Sequence, residues 1–279
     1  MNVLEFSLIV FTCSIAAGFL GSLTGLGGGF LVTPVLTLLF GVDIRYAIGA
    51  SLISVIATSS GAAAAYVKEG FTNLRVGMLL EIATSLGAVV GASLVSVLPG
   101  RAIAVVFGLV LMQSAWISSR RHADPDTSNM PPDRLAARLQ LDSTYPTAQG
   151  LRGYRVSNVP AGFGLMWIAG LLSGLLGIGS GAVKVLAMDQ AMHIPFKVST
   201  ATSNFMIGVT AAASAGIYFR AGYVDPELAM PVMLGVALGA LMGARLLFRT
   251  PTARLRLLFG AIVALVGLEM IYHGVVGRV

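Results

Sequence analysis

The chain reads as an all-α polytopic membrane protein with two homologous, inverted repeats. Each repeat carries four full transmembrane helices plus a short half-helix after a glycine-rich break. Three observations predict this class. Of 279 residues, 56% are hydrophobic and 11% charged, and a mean hydropathy of +0.86 is too high for a water-soluble globule. Apolar stretches of spanning length, about 20 residues, recur along the whole chain. The sequence also aligns with itself, without a gap, when shifted by 152 positions.

The spans come in order at 3–23, 47–67, 76–98 and 102–119, then at 161–178, 198–219, 228–248 and 257–276. The first carries Glu5, has no basic leader and runs into "GFLGSLTGLGGG" without a clear cleavage site, so it is expected to be a mature span. Cys13 is the only cysteine, which excludes an internal disulfide and suits packing. His122, His193 and His273 are scattered without partners at ligand spacing, so no metal and no cofactor is expected. The net charge of +6 suits anionic lipid or an anionic substrate. Its cations lie in short loops rather than on one face, which argues against nucleic acid.

The repeat joins 18–116 to 170–268. Gly18, Gly25, Gly27, Gly29, Gly70, Gly87, Gly91 and Gly108 fall on Gly170, Gly177, Gly179, Gly181, Gly222, Gly239, Gly243 and Gly260. Chance alignment of the 15 and 13 glycines in these windows gives about two coincidences, against the eight found. Residues 1–119 and 159–279 are therefore the two transmembrane repeats, and 120–158 joins them. That joining segment is polar and proline-rich and cannot span lipid. A short surface helix is expected at 131–140, starting on Pro131 and Pro132, in an otherwise partly disordered linker.

Between the first two spans of each half lies a short apolar piece, 30–40 and 182–192. Eleven residues of helix reach roughly 16 Å, about half of a ~30 Å hydrocarbon core. If these pieces cross, the halves are inverted and 13 cations share the linker's side against four (Arg45, Arg101, Arg220 and Arg278) on the other. If they re-enter, the division is 10 to 7. The positive-inside rule favours crossing, with a cytoplasmic linker.

The breaks before these pieces are "TGLGGGF", 24–30, and "GIGSGAV", 177–183. Glycine costs about 1 kcal/mol relative to alanine within a helix, and irregular backbone at membrane depth is tolerated only where protein buries it or water reaches it. Matched breaks in two halves point to a transporter's substrate site. Half-helices starting near Gly29 and Gly181 would aim N–H groups and a positive dipole end at an anion. Close helix packing is the competing explanation, and it fits the glycine ridges at Gly87/Gly91 and Gly235/Gly239/Gly243 better.

Polar residues around the breaks extend the candidate site. Lys184, three positions past Gly181 in an apolar segment, is a functional candidate or a cation reaching for the interface. Ser51, Ser54 and Thr58 share a helix face, and Thr202, Ser203, Asn204 and Thr210 lie at or near the corresponding positions of its twin. They suit the oxygens of an anion and equally suit helix-to-helix hydrogen bonds. Arg45 and Lys197 align at the repeat offset, as guides for anions or as anchors of helix ends. Glu81 is the one carboxylate well inside a first-half span, a candidate proton relay or cation partner, with Glu269 its nearest counterpart.

The stretch 169–246, with "GLLGIGSGAVKVLAMDQ" and "KVSTATSNF", closely resembles the second half of the TauE/SafE family of membrane transporters. "GSLTGLGGGFLVTPVL", 21–36, looks like its first-half motif. The resemblance covers nearly the whole chain apart from the linker. It implies a transporter in the cytoplasmic membrane for small sulfur-containing anions such as sulfite, sulfoacetate and other organosulfonates, with coupling to protons or membrane potential. By motif match it implies a site at Gly25, Gly27, Gly28, Gly29, Gly177, Gly179, Gly181 and 197–205. Ser180 and Leu186 depart from the usual glycine and proline, and Ser180 would add a hydroxyl to the anion site. The leading reading is an exporter working by alternating access, in a bilayer, as a monomer or homodimer. A passive anion channel or a carrier of small carboxylates is the alternative. Enzyme motifs such as His-Glu-x-x-His or Gly-x-Ser-x-Gly are absent from the chain.

Overall fold

The computed structural model describes residues 3–24, 29–68, 70–119, 133–147, 150–247 and 252–277. The first half holds α1 (Val3–Thr24), α2 (Gly29–Phe40), α3 (Ile44–Lys68), α4 (Leu74–Leu94) and α5 (Gly100–Ser119). The linker contributes α6 (Arg134–Arg138), β1 (Ser143–Thr147) and β2 (Gly150–Tyr154). The second half holds α7 (Val159–Leu176), α8 (Gly181–Leu186) with a π turn at Ala187–Ala191, α9 (Phe196–Arg220), α10 (Pro226–Leu247) and α11 (Thr252–Val276). Among the described residues α1, α4 and α7 are long and apolar enough to cross a bilayer, while α3, α5, α10 and α11 offer shorter apolar stretches.

Helix boundaries follow local chemistry. The Asn73 side chain caps α4 by accepting from the Val76 N–H at 3.1 Å. Pro160 stands in the first turn of α7, where its missing N–H costs nothing. α2, α3, α4 and α5 start at Gly29, Ile44, Leu74 and Gly100. α8, α9, α10 and α11 start 152 positions later, at Gly181, Phe196, Pro226 and Thr252.

Packing follows the same offset. α1 lies along α10 and α7 along α4, while α3 pairs with α9 and α5 with α11. A Cβ on Gly87 would strike the Trp167 carbonyl and Leu171 nitrogen, and one on Gly239 would strike the Ile15 carbonyl and Phe19 nitrogen. Gly18 meets Val236 as Gly170 meets Thr84. These ridges let backbones touch, the packing the sequence suggested for them. Contacts advance together along α1 and α10 (Phe11 with Gly235, Ile15 with Gly239), so these helices run parallel. They run in opposite senses for α3 and α9 (Gly49 with Tyr223, Ser59 with Gly208) and for α5 and α11 (Gly108 with Gly267, Arg101 with Gly274), which are antiparallel.

The bundle's two ends are distinct. At one, Arg45 donates to the carbonyls of Val95 and Leu98 at 3.2 and 3.0 Å and lies 5.7 Å from the Tyr223 ring. The Phe6 and Phe40 rings meet edge to face at 5.6 Å, so the end of α2 returns beside the start of α1. At the other end sits the linker, where Asn73 donates to the Leu141 carbonyl and the Tyr154 hydroxyl, both at 2.8 Å.

The linker corrects two expectations. Its described residues, 133–147 and 150–158, are folded rather than disordered, so among the described residues the chain is helical with one β-hairpin rather than all-α. The surface helix spans Arg134–Arg138 with Asp133 as its N-cap, accepting from Leu135 and Ala136. Pro131 and Pro132 lie outside the described residues. Slight burial pushes the Asp133 carboxyl up, but N–H donors from Leu135, Ala136, Val159 and Asn158 hold it below the usual range. Burial of Ala136, Leu141, Tyr145, Tyr154 and Val156 against Val76, Leu80 and Met192 explains the order. A polar, proline-rich composition hid these few large apolar groups. Pro146 is accommodated because a two-stranded hairpin has only edge strands.

Candidate functional site

In the described break, Gly177–Ser180, every residue but Ile178 has left-handed backbone. Gly177 ends α7 at φ 67°, and Gly179 and Ser180 follow at φ 68° and 42°. Glycine adopts this region at no cost, and a serine there is strained. Space demands glycine as well. A Cβ on Gly177 would come within 2.6 Å of Ile48 Cγ2, and one on Gly179 within 2.7 Å of Ile207 Cγ2.

Gly29, the described end of the first break, and Gly177 of the second meet on α3. The Ser51 hydroxyl lies 2.7 Å from the Gly29 carbonyl and 3.0 Å from the Gly177 carbonyl, fully buried. A Cβ on Gly29 would strike Val55, whose other methyl faces Gly179. On α9, at the repeat offset, Ser203 donates to the Gly181 carbonyl at 3.3 Å. The segment Gly177–Gly181 thus runs from Ser51 on α3 to Ser203 on α9. Gly25, Gly27 and Gly28 lie outside the described residues.

One turn beyond Ile207, a buried ionic chain crosses between the halves. The ammonium of Lys184, 0% exposed, donates to Thr210 Oγ1 at 2.6 Å. Thr210 in turn lies 2.8 Å from Glu81 Oε1 and 3.0 Å from the Met206 carbonyl. Its single proton serves one of these acceptors at a time. Ser85 also donates to Glu81 Oε1 at 2.8 Å, while Oε2, also buried, finds no protein partner. Lys184 is therefore not at an interface, and a buried charge of this kind needs a counter-charge.

The other predicted residues divide. Ser180 spends its hydroxyl on the Ala169 carbonyl at 2.6 Å. Thr202 accepts from the Asn73 N–H at 3.1 Å, and the Asn204 amide donates back to Thr200 at 3.0 Å. Ser54 and Thr58 bond to carbonyls of their own helix. Arg45 anchors the end of α4, and Lys197 is exposed near the linker end. Glu269 is far from the breaks, 3.6 Å from His273 on α11.

Sequence reasoning passed over four hydroxyls. Thr33 and Thr37 on α2, Thr72 just before α4 and Ser173 in the last turn of α7 have buried oxygens without protein partners. Such orphans are rare and ask for an explanation. Two flank the breaks in sequence, Thr33 after Gly29 and Ser173 before Gly177. Nothing in the pattern of either helix marks them. A cavity of about 290 Å³ between Phe6, Tyr46, Asp225 and Glu227 lies at the opposite end from the linker, away from this chemistry.

Comparison with known proteins points to a family of membrane transporters. Residues 10–270 match the family model described as "Sulfite exporter TauE/SafE". The chain belongs to the TauE/SafE family. It is 28% identical over 276 residues to "Probable membrane transporter protein YunE" of Bacillus subtilis, covering 96% of this chain and 98% of the relative. It is 25% identical over 269 residues to "Probable membrane transporter protein MJ0441" of Methanocaldococcus jannaschii, covering 91% of each. No solved structure matches it.

Proposed function

We propose that this TauE/SafE chain is a secondary transporter that exports a small sulfur-containing anion across the cytoplasmic membrane. Sulfite, sulfoacetate and other organosulfonates are the candidate substrates. The anion binds where the two breaks meet, and one half moves against the other to expose it to each side in turn. The observation that carries this reading is the convergence at Ser51, whose hydroxyl reaches carbonyls from both breaks within a buried site. A fully buried lysine stands two turns away along the second half-helix and its neighbour α9.

Several features support it. The family description names sulfite export. Helix starts that recur at one offset, with antiparallel α3/α9 and α5/α11 pairs, fit inverted repeats that exchange roles during alternating access. If the short segments cross, the sequence puts 13 cations on the linker's side against four, which fits a cytoplasmic linker. The unpartnered hydroxyls of Thr33 and Ser173 are donors for sulfonate or sulfite oxygens.

The test is counterflow in proteoliposomes of the purified chain, preloaded in turn with sulfite, methanesulfonate, sulfoacetate, thiosulfate and sulfate. Saturable exchange with at least one sulfur oxyanion is expected. Flux that neither saturates nor supports counterflow would make the protein a channel and overturn the proposal.

A further inference from the structure

The chain from Lys184 through Thr210 to Glu81 sets a charge rule for whatever binds beside it. Lys184 is the only buried cation among the described residues, and Glu81, on the opposite half, already balances it. The repeat offset supplies no second cation. Lys184, Thr210 and Glu81 correspond to Val32, Thr58 and Met233, so the sister position is without charge. An anion entering this dry region must meet a positive charge that nothing else neutralises.

We propose that the site carries one monoanion together with one proton, and that Glu81 is the residue that takes the proton. This rests on the transporter reading above and narrows its substrate. With the site empty, the ammonium of Lys184 and the carboxylate of Glu81 sum to zero. A proton added to the unpartnered Oε2 of Glu81 leaves Lys184 as net positive charge, and one anion of charge −1 restores zero. Thr210 is the switch between these conditions. Its hydroxyl donates to Glu81 Oε1 while the carboxylate is charged, and turns to the Met206 carbonyl, 3.0 Å away, once it is neutral. Throughout, it continues to accept from Lys184. The proton comes from water on one side and is released with the anion on the other, so no charge crosses.

Other titratable groups on the packed elements have engagements of their own, Asp189 among them, or sit at helix ends. Arg75 on α4 donates to Gln140 in the linker. The Tyr218 hydroxyl on α9 donates to the Leu175 carbonyl. Lys197 and Arg220 stand at the two ends of α9, Arg101 at the start of α5 and Asp189 on the π turn. α7 contains no titratable side chain.

A dianion would leave the loaded site with an uncompensated negative charge. Monosulfonates and hydrogensulfite therefore fit, and sulfate, thiosulfate and sulfoacetate do not. The experiment uses proteoliposomes of the full chain with methanesulfonate, thiosulfate and sulfate as probes, a lumenal pH dye, and a potassium diffusion potential. For the unaltered protein, methanesulfonate entry should acidify the lumen and ignore the imposed potential, while the two dianions should neither enter nor acidify. Glu81→Gln, which fixes the neutral form, should lose the acidification and make whatever methanesulfonate flux remains sensitive to potential. Dianion entry at the methanesulfonate rate, or a potential-sensitive unaltered protein, would overturn the proposal. So would Glu81→Gln that still acidifies. If Glu81→Gln fails to fold, the measurements on the unaltered chain still decide. Absence of counterflow with every sulfur oxyanion, sulfite included, would instead strike the transporter reading itself.

Discussion

At the scale of single residues, the breaks combine two demands, left-handed backbone and close approach, and Gly177 meets both. Alanine there would cost about 1–2 kcal/mol for the left-handed conformation and about 1–3 kcal/mol more for forcing Ile48 aside. Gly177→Ala should therefore lower stability in detergent by roughly 2–5 kcal/mol, read as a fall in melting temperature and as loss of counterflow. Ser180 poses the opposite case. Replacing it with glycine relieves strain of about 1 kcal/mol but removes a buried hydrogen bond worth about as much, to the Ala169 carbonyl. Ser180→Gly should leave the melting temperature nearly unchanged. A large loss would mean that the hydroxyl does more than hold α7 to the break.

Among the elements, the linker is the one whose order depends on a few contacts. Asn73 caps α4 and at the same time holds the hairpin through the Leu141 carbonyl and the Tyr154 hydroxyl. Asn73→Ala should lose about 1 kcal/mol of capping and release 143–154, seen as faster proteolysis and hydrogen exchange there while α3 and α9 stay protected. Burial pushes the Tyr154 phenol up to about 12, against the pull of the Asn73 hydrogen bond. Released Tyr154 would ionise near 10, so docking should weaken as pH rises from about 10 towards 12, and the same proteolysis assay would report it. Helices were legible in the sequence because spans announce themselves by hydropathy, and the half-helices because glycines coincide at one offset. The hairpin was not, since its stability comes from Tyr145, Tyr154 and Leu141 meeting α4, a long-range contact without local periodicity. The same limit hid the ionic chain. Glu81 and Lys184 each stood out as a charge in an apolar segment, yet they meet only through Thr210, 129 positions from Glu81, and no local pattern says which helices touch.

Across the whole molecule, the antiparallel pairing of repeat-related helices makes a prediction about sides. The loops at 41–43, 95–99 and 221–225 gather at one end through Arg45 and Tyr223, and the folded linker gathers 70–73 and 192–195 at the other. If the short segments return across the bilayer, as the Phe6–Phe40 contact implies for α2, then the two ends face opposite compartments. The end with the linker, which the sequence count makes richer in cations, is then expected to face the cytoplasm. Cysteines placed one at a time at Thr144 and Val97, both exposed, in a chain with Cys13→Ser test this directly. A membrane-impermeant thiol reagent applied outside intact cells should label the position 97 variant and spare the position 144 variant until the membrane is opened. Labelling of both from outside would place the ends on one side and defeat the inverted arrangement. Labelling of position 144 alone would keep the inversion and reverse the orientation, and with it the side from which the site is loaded.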